Sequence, residues 1–182
     1  MLKVGLIGYG KAGKAVANVL ASDPRYQLCW VMRRRSEASS HLPEHPEIPL
    51  VGLETLDLGN WLDLHPVDAI VDFSQADSVY LYGPELRRRG IMLVSAISAY
   101  SPSHLDYLRE MGQDTRIMSS PNITLGINFL LMAAKLLRGI APFADVEIVE
   151  QHFREKPEVS GTARKIAETL ELEDDRVTSL RV

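Results

Sequence analysis

Residues 5–20 read GLIGYGKAGKAVANVL, with Gly8, Gly10 and Gly13 spaced as G-x-G-x-x-G between a branched apolar run, KVGLIG, and a helical pattern. Few turns constrain a chain more. A strand that ends on the first glycine and a helix that begins after the second require a tight turn, an open backbone and a close helix–strand contact in succession. The helix start adds unpaired N–H groups and positive potential, which suit a pyrophosphate. Gly8, Gly10, Lys11, Ala12 and Gly13 are therefore the expected dinucleotide-holding turn.

The segments that follow repeat the alternation. YQLCWVM, DAIVDF, IMLVSAI and TRIMSS read as strands, and helical patterns lie between them at about 11–22, 54–64, 76–89 and 102–112. Such alternation specifies right-handed crossovers and a parallel sheet with helices on both faces, an α/β fold of the doubly wound Rossmann type. Residues 36–49, with Pro43 and Pro46, are expected to be irregular. After about residue 121 the pattern changes to a long helix in ITLGINFLLMAAKLLRG, a strand in DVEIVEQHF, a helix in SGTARKIAETLE and a strand in RVTSLRV. This divides the chain into a dinucleotide-binding domain, 1–121, and a smaller α+β unit, 122–182, for substrate binding and oligomerisation.

Composition narrows the partners. A net charge of −4 and only short arginine clusters give no broad basic field for nucleic acid, and the apolar window around LGINFLLMAAKLL is interrupted by Asn128 and Lys135, too short for a membrane span. The N-terminus enters a strand at once, without signal-peptide order. The single cysteine, Cys29, permits no internal disulfide and suits a reducing, cytoplasmic setting. None of the histidine and cysteine spacings fits a metal site. A small-molecule partner is expected.

At the end of the second strand, where NAD-selective folds carry an acidic residue, this chain has Arg33, Arg34 and Arg35. A guanidinium there can hold a 2′-phosphate, and no carboxylate stands at that strand end in the sequence. NADPH is expected, with NADH possible. The next strand ends bring Phe73 and Ser74, then Ala96 and Ser98, small enough to leave room for ribose and nicotinamide. Asp72 is either a ligand contact or a buried acceptor or helix cap.

At the other end, His152, Lys156 and the run Ser160-Gly161-Thr162 collect within eleven residues. An imidazole can hold or release a proton near neutrality, an ammonium can offset developing negative charge, and a helix start with hydroxyls favours a carboxylate. Each also has a plain alternative: a structural histidine, a solvated lysine, an ordinary cap.

These segments, with DFS at 72–74, AISAYS at 96–101, SPNITLGINFLL at 120–131 and EIVEQHFREK…SGTA at 147–163, resemble in order the 4-hydroxy-tetrahydrodipicolinate reductase (dihydrodipicolinate reductase) family of lysine and diaminopimelate biosynthesis. The resemblance implies an NAD(P)H-dependent oxidoreductase of amino-acid biosynthesis that is a homotetramer built through its C-terminal domain. It further implies that His152 is the general acid, Lys156 the catalytic lysine, and Ser160, Gly161 and Thr162 the grip on a substrate carboxylate. Ser98, Pro121 and Asn122 fall on segments beside the nicotinamide, and Arg34 falls on the basic residue at the 2′-phosphate, with Arg33 where an acidic residue often stands.

Departures are visible as well. Phe153 replaces a second histidine, the link from Lys156 to Ser160 is one residue shorter, AISA replaces G-T-T-G, and the chain ends at VTSLRV where the family continues for further strands. A reductase of another cyclic imine or carboxylate and a non-catalytic dinucleotide-binding homologue stay open as alternatives.

Overall fold

A computed structural model describes residues 1–35, 40–154, 156 and 159–182. The chain divides into two compact units, Met1–Ser120 and Pro121–Val182.

The first unit is built on strands β1 (Leu2–Ile7), β2 (Tyr26–Arg33), β3 (Ser40–His41), β4 (Pro49–Gly52), β5 (Ala69–Asp72), β6 (Met92–Ser95) and β7 (Ile117–Ser119). They form one sheet in the order β3-β4-β2-β1-β5-β6-β7, parallel except for the β3–β4 edge pair. Helix α1 (Lys11–Ser22) joins β1 to β2, α2 (Leu58–Leu64) precedes β5, and α3 (Ser78–Arg89) and α4 (Pro102–Met111) follow β5 and β6.

Two apolar layers cover the two faces. On one, Ala17 and Leu20 of α1 pack with Val4, Leu6, Leu28 and Val31. On the other, Leu58 and Leu62 of α2, Val79, Tyr82 and Leu86 of α3, and Leu108 and Met111 of α4 pack with Ile7, Trp30, Met32 and Ile70. This is the doubly wound α/β architecture expected from the alternation. The strand order reverses at β1/β5, the position where such sheets open a crevice at their carboxyl ends.

Two local expectations are corrected. Within the stretch expected to be irregular, 36–39 lie outside the described residues, but Ser40–His41 forms an edge strand on β4. The Leu42 N–H donates to Ile48 O at 3.0 Å, and both side chains are buried: an apolar pair folds the loop onto the sheet. Pro49 opens β4, where a missing N–H does least harm. Helix α2 begins at Leu58 rather than near 54, because Leu53 and Glu54 donate to Arg33 and Arg34 carbonyls and continue the sheet ladder. The Asp57 side chain then caps the helix by accepting from the Asn60 N–H at 3.0 Å.

Trp30 anchors the centre. The β1–β2 register shifts between Val4 and Gly5, skipping Cys29 and placing Trp30 opposite Gly5. A Cβ on Gly5 would lie 2.1 Å from the indole, so the ring occupies the space that a side chain there would need. Its Nε1–H donates to His65 O at 3.1 Å.

The second unit contains α5 (Leu125–Ile140), β8 (Ile148–His152), α6 (Gly161–Thr169), a 3-10 turn (Asp174–Arg176) and β9 (Val177–Arg181). Strands β8 and β9 pair in parallel, and α6 buries Ala163 and Ala167. Among the described residues no helix is long and apolar enough to cross a membrane.

Replacing Trp30 with alanine removes a fully buried indole and is expected to cost about 3–5 kcal/mol, read as a lower urea midpoint with an unchanged slope.

Candidate functional site

The glycine turn, the expected nucleotide end, lies at the carboxyl edge of β1 and β5. Ile7 pairs with Asp72, so the two strands end level, and their exit turns meet. Gly8 has φ +99°, and a Cβ there would stand 2.5 Å from the Phe73 carbonyl carbon and 2.7 Å from the Ser74 nitrogen. A Cβ on Gly13 would lie 1.9 Å from Gly8 O. These two glycines therefore let three backbone segments touch. Gly10 differs: a Cβ there meets nothing within 4 Å, so the space above it belongs to no part of the protein. It is also the N-cap of α1 and offers no side-chain cap, with Lys11 and Ala12 exposed in the first turn. An open place over uncapped helix N–H groups fits a pyrophosphate.

A cleft of about 350 Å³ lies beside this turn, lined by Ile7, Gly8, Tyr9, Gly10, Arg33, Arg34, Leu53, Phe73, Ser74, Gln75 and Ser78. Ala96 donates its N–H to Asp72 O at 2.9 Å and extends the ladder, and Ser98 is exposed beyond it. Asp72 itself is no ligand contact. It is fully buried and accepts from the Ser74 N–H at 2.8 Å, the Ser74 hydroxyl at 2.6 Å and the Tyr82 hydroxyl. Burial raises its pKa, partly offset by these hydrogen bonds. Asp72 thereby ties the β5 turn to α3.

The charge reading at the β2 end needs correction. A carboxylate does stand there, supplied by Glu54 past the end of β4. Its Oε1 accepts from Arg34 Nε at 2.6 Å and its Oε2 from Arg35 Nε at 2.7 Å. Those two hydrogen bonds lower its pKa. Nothing in residue spacing showed it, because the parallel pairing of β2 with β4 makes the contact.

In the second unit the strand period of two sets the chemistry. Glu150 and His152 share one face of β8, and the register sets Glu150 beside Ser179 and His152 beside Arg181. Glu150 is buried and accepts from the Ser179 hydroxyl at 2.6 Å, from Arg181 Nη1 at 3.0 Å and from His152 Nδ1. Its carboxyl falls from an ordinary 4.5 to about 2, chiefly through the Ser179 hydrogen bond, with Arg181 and His152 adding to it. An ionised carboxylate at Nδ1 selects the tautomer that keeps the proton there and leaves Nε2 for other chemistry. Glu150, Ser179 and Arg181 escaped the sequence reading; only the i, i+2 spacing of Glu150 and His152 on a strand could have signalled the first.

Arg181 also donates from Nε to Lys156 O at 3.0 Å, and Lys156 donates its N–H to Phe153 O at 3.2 Å. His152 and Lys156 thus belong to one hydrogen-bonded group of residues. Phe153 is 61% exposed. Residues 157 and 158, within the shortened link to Ser160, lie outside the described residues. Ser160 caps α6, its hydroxyl accepting from the Thr162 N–H at 3.2 Å, and Gly161 begins the helix. The Thr162 hydroxyl donates to Asn122 Oδ1 at 3.0 Å, so Asn122, next to Pro121, is held in this same unit.

Residues 2–123 match the family model described as dihydrodipicolinate reductase, N-terminus. The chain belongs to the dihydrodipicolinate reductase family. It is 34% identical over 111 residues to the 4-hydroxy-tetrahydrodipicolinate reductase of Myxococcus xanthus (strain DK1622), covering 60% of this chain and 41% of that protein. It is 30% identical over 170 residues to that of Caldanaerobacter subterraneus subsp. tengcongensis, covering 88% and 59%. The chain thus spans between about two-fifths and three-fifths of the length of these curated relatives. Among solved structures, a dipicolinate-bound dihydrodipicolinate reductase from Paenisporosarcina sp. TG-14 superposes with a TM-score of 0.76 at 20% identity, over 100% of this chain and 79% of its own. Within this family's fold, the level ends of β1 and β5 account for the glycine turn.

Two expectations follow. Gly13→Ala and Gly8→Ala should lower the unfolding free energy by more than about 2 kcal/mol, whereas Gly10→Ala should cost under about 1 kcal/mol, compared by urea denaturation. A carboxylate with a depressed folded-state pKa stabilises above its unfolded value and loses that contribution as pH falls. Glu150 should therefore contribute fully above pH 4.5 and progressively less towards about 2; Glu150→Gln should flatten that part of the stability profile.

Proposed function

We propose that this chain is an NADPH-dependent reductase that converts 4-hydroxy-tetrahydrodipicolinate to tetrahydrodipicolinate on the route to diaminopimelate and lysine. The observation that carries the reading is the His152 imidazole held at Nδ1 by a buried, ionised carboxylate, four positions before Lys156, in a chain of the dihydrodipicolinate reductase family.

The roles follow from the chemistry of each group. Residues 1–121 serve the cofactor. The N–H groups of Lys11, Ala12 and Gly13, over the open place at Gly10, take the pyrophosphate; Arg34, with Arg33, takes the 2′-phosphate; Phe73, Ser74, Ala96 and Ser98 flank the ribose and nicotinamide. When bound, the reduced nicotinamide supplies a hydride.

Residues 122–182 serve the substrate and a homo-oligomeric assembly. The helix start at Ser160, Gly161 and Thr162 attracts a substrate carboxylate, Lys156 offsets negative charge, and His152 delivers a proton from Nε2 while Glu150 stabilises the imidazolium before transfer. A reducing, cytoplasmic setting suits the free Cys29. Exposed Phe153 favours one further reading, a reductase of a more apolar cyclic imine carboxylate.

The test mixes freshly generated 4-hydroxy-tetrahydrodipicolinate with NADPH and follows loss of nicotinamide absorbance. His152→Ala and Lys156→Ala should each lower kcat by about 100-fold or more; turnover indifferent to both would end the proposal. Arg34→Ala should raise the KM for NADPH by about 10-fold or more while changing that for NADH less than about twofold. Equal loss for both cofactors would remove the phosphate contact.

A further inference from the structure

Glu54 is placed by backbone before its side chain acts. The β2–β4 ladder continues past its last strand pair, Arg33 with Gly52, and the Glu54 N–H donates to Arg34 O at 3.0 Å. That bond sets the carboxylate against Arg34, which with Arg33 and Leu53 lines the cleft beside the glycine turn. Each oxygen then takes one guanidinium, Arg34 Nε at 2.6 Å and Arg35 Nε at 2.7 Å. The two arginine side chains are 59% and 76% exposed, and among the described residues their terminal nitrogens make no other hydrogen bond.

We propose that Glu54 is a specificity-determining residue, an internal counter-ion that competes with the cofactor's 2′-phosphate for Arg34 and Arg35 and so narrows the discrimination between NADPH and NADH. This rests on the cofactor reading above. A carboxylate at Nε and a phosphate at the terminal nitrogens draw on the same delocalised guanidinium charge. Bringing a 2′-phosphate to Arg34 therefore either displaces Glu54 or leaves two anions sharing one cationic pair. With NADH no such conflict arises. Glu54 offsets one of the two positive charges of Arg34 and Arg35, and the uncharged ribose hydroxyl adds no second anion to the cluster. The three consecutive arginines look like a phosphate site by charge alone, but the folded site already holds one anion of its own.

Isothermal titration calorimetry at low ionic strength tests this on the intact chain, with NADPH and NADH titrated separately into the native protein, Glu54→Gln and Glu54→Ala. Both variants should bind NADPH roughly three- to tenfold tighter, the repulsion expected of two anions at van der Waals to second-neighbour range near solvent, and NADH within about twofold of native. The gain should shrink towards none at about 0.5 M salt, where exposed charges are screened. Weaker NADPH binding in both variants would instead make Glu54 an orienter of the arginines and overturn the proposal, as would an equal change for both cofactors. If folded native protein binds neither cofactor, the cofactor reading itself fails and takes this proposal with it; binding of both with no selective change sinks the role of Glu54 alone.

Discussion

The glycine turn depends on one close approach. Gly8 can lie against the backbone of Phe73 and Ser74 only because it has no Cβ and adopts positive φ, and Gly13 can lie against Gly8 for the first of those reasons. The contact exists because β1 and β5 are neighbours whose paired ends, Ile7 and Asp72, finish at the same level. Asp72 secures the other side, accepting from Ser74 and from Tyr82 of α3. A buried carboxyl of this kind is costly unless its hydrogen bonds are filled, and here the bonds that fill it also fix the turn opposite the glycines. The open place above Gly10 is what remains once those contacts are made.

The second unit reaches its chemistry by a different route. A parallel strand pair places alternate residues of β8 and β9 on one face, and four polar groups, Glu150, His152, Ser179 and Arg181, meet there. Arg181 links this face to the segment after β8 through the Lys156 carbonyl. The cluster is internally balanced: one carboxylate receives a hydroxyl, a guanidinium and an imidazole, which is why it stays ionised far below the usual carboxylate range.

Local patterns were the legible part of this chain. The glycine spacing, the alternation of apolar runs with helical periods, and the long helix, strand, helix and strand after residue 121 all reappear as elements, because periodicity and turn chemistry act over a few residues. What was hidden was made by pairing across the sheet. Glu54 reaches Arg34 and Arg35 through β2–β4, twenty residues away in sequence, so the expectation of a site without a carboxylate was wrong for a reason no spacing rule carries. Residues 36–49 look irregular by their prolines, yet in the described part, 40–49, the buried pair Leu42 and Ile48 folds the chain onto the edge. The register shift that skips Cys29 and lays Trp30 over Gly5 is likewise invisible until the strands are side by side. Asp72 could be read either way from sequence, and only its filled hydrogen bonds decide it.

The central claim is that the glycine turn of the first unit is a dinucleotide cradle. The most direct measurement is a residue-resolved amide NMR titration of the intact chain with NADP⁺. The account requires the largest chemical-shift changes at the amides of Gly10, Lys11, Ala12 and Gly13, with a second group at Ser74 and Arg34. Saturable binding that leaves those amides unmoved, or no binding by folded protein, would contradict it.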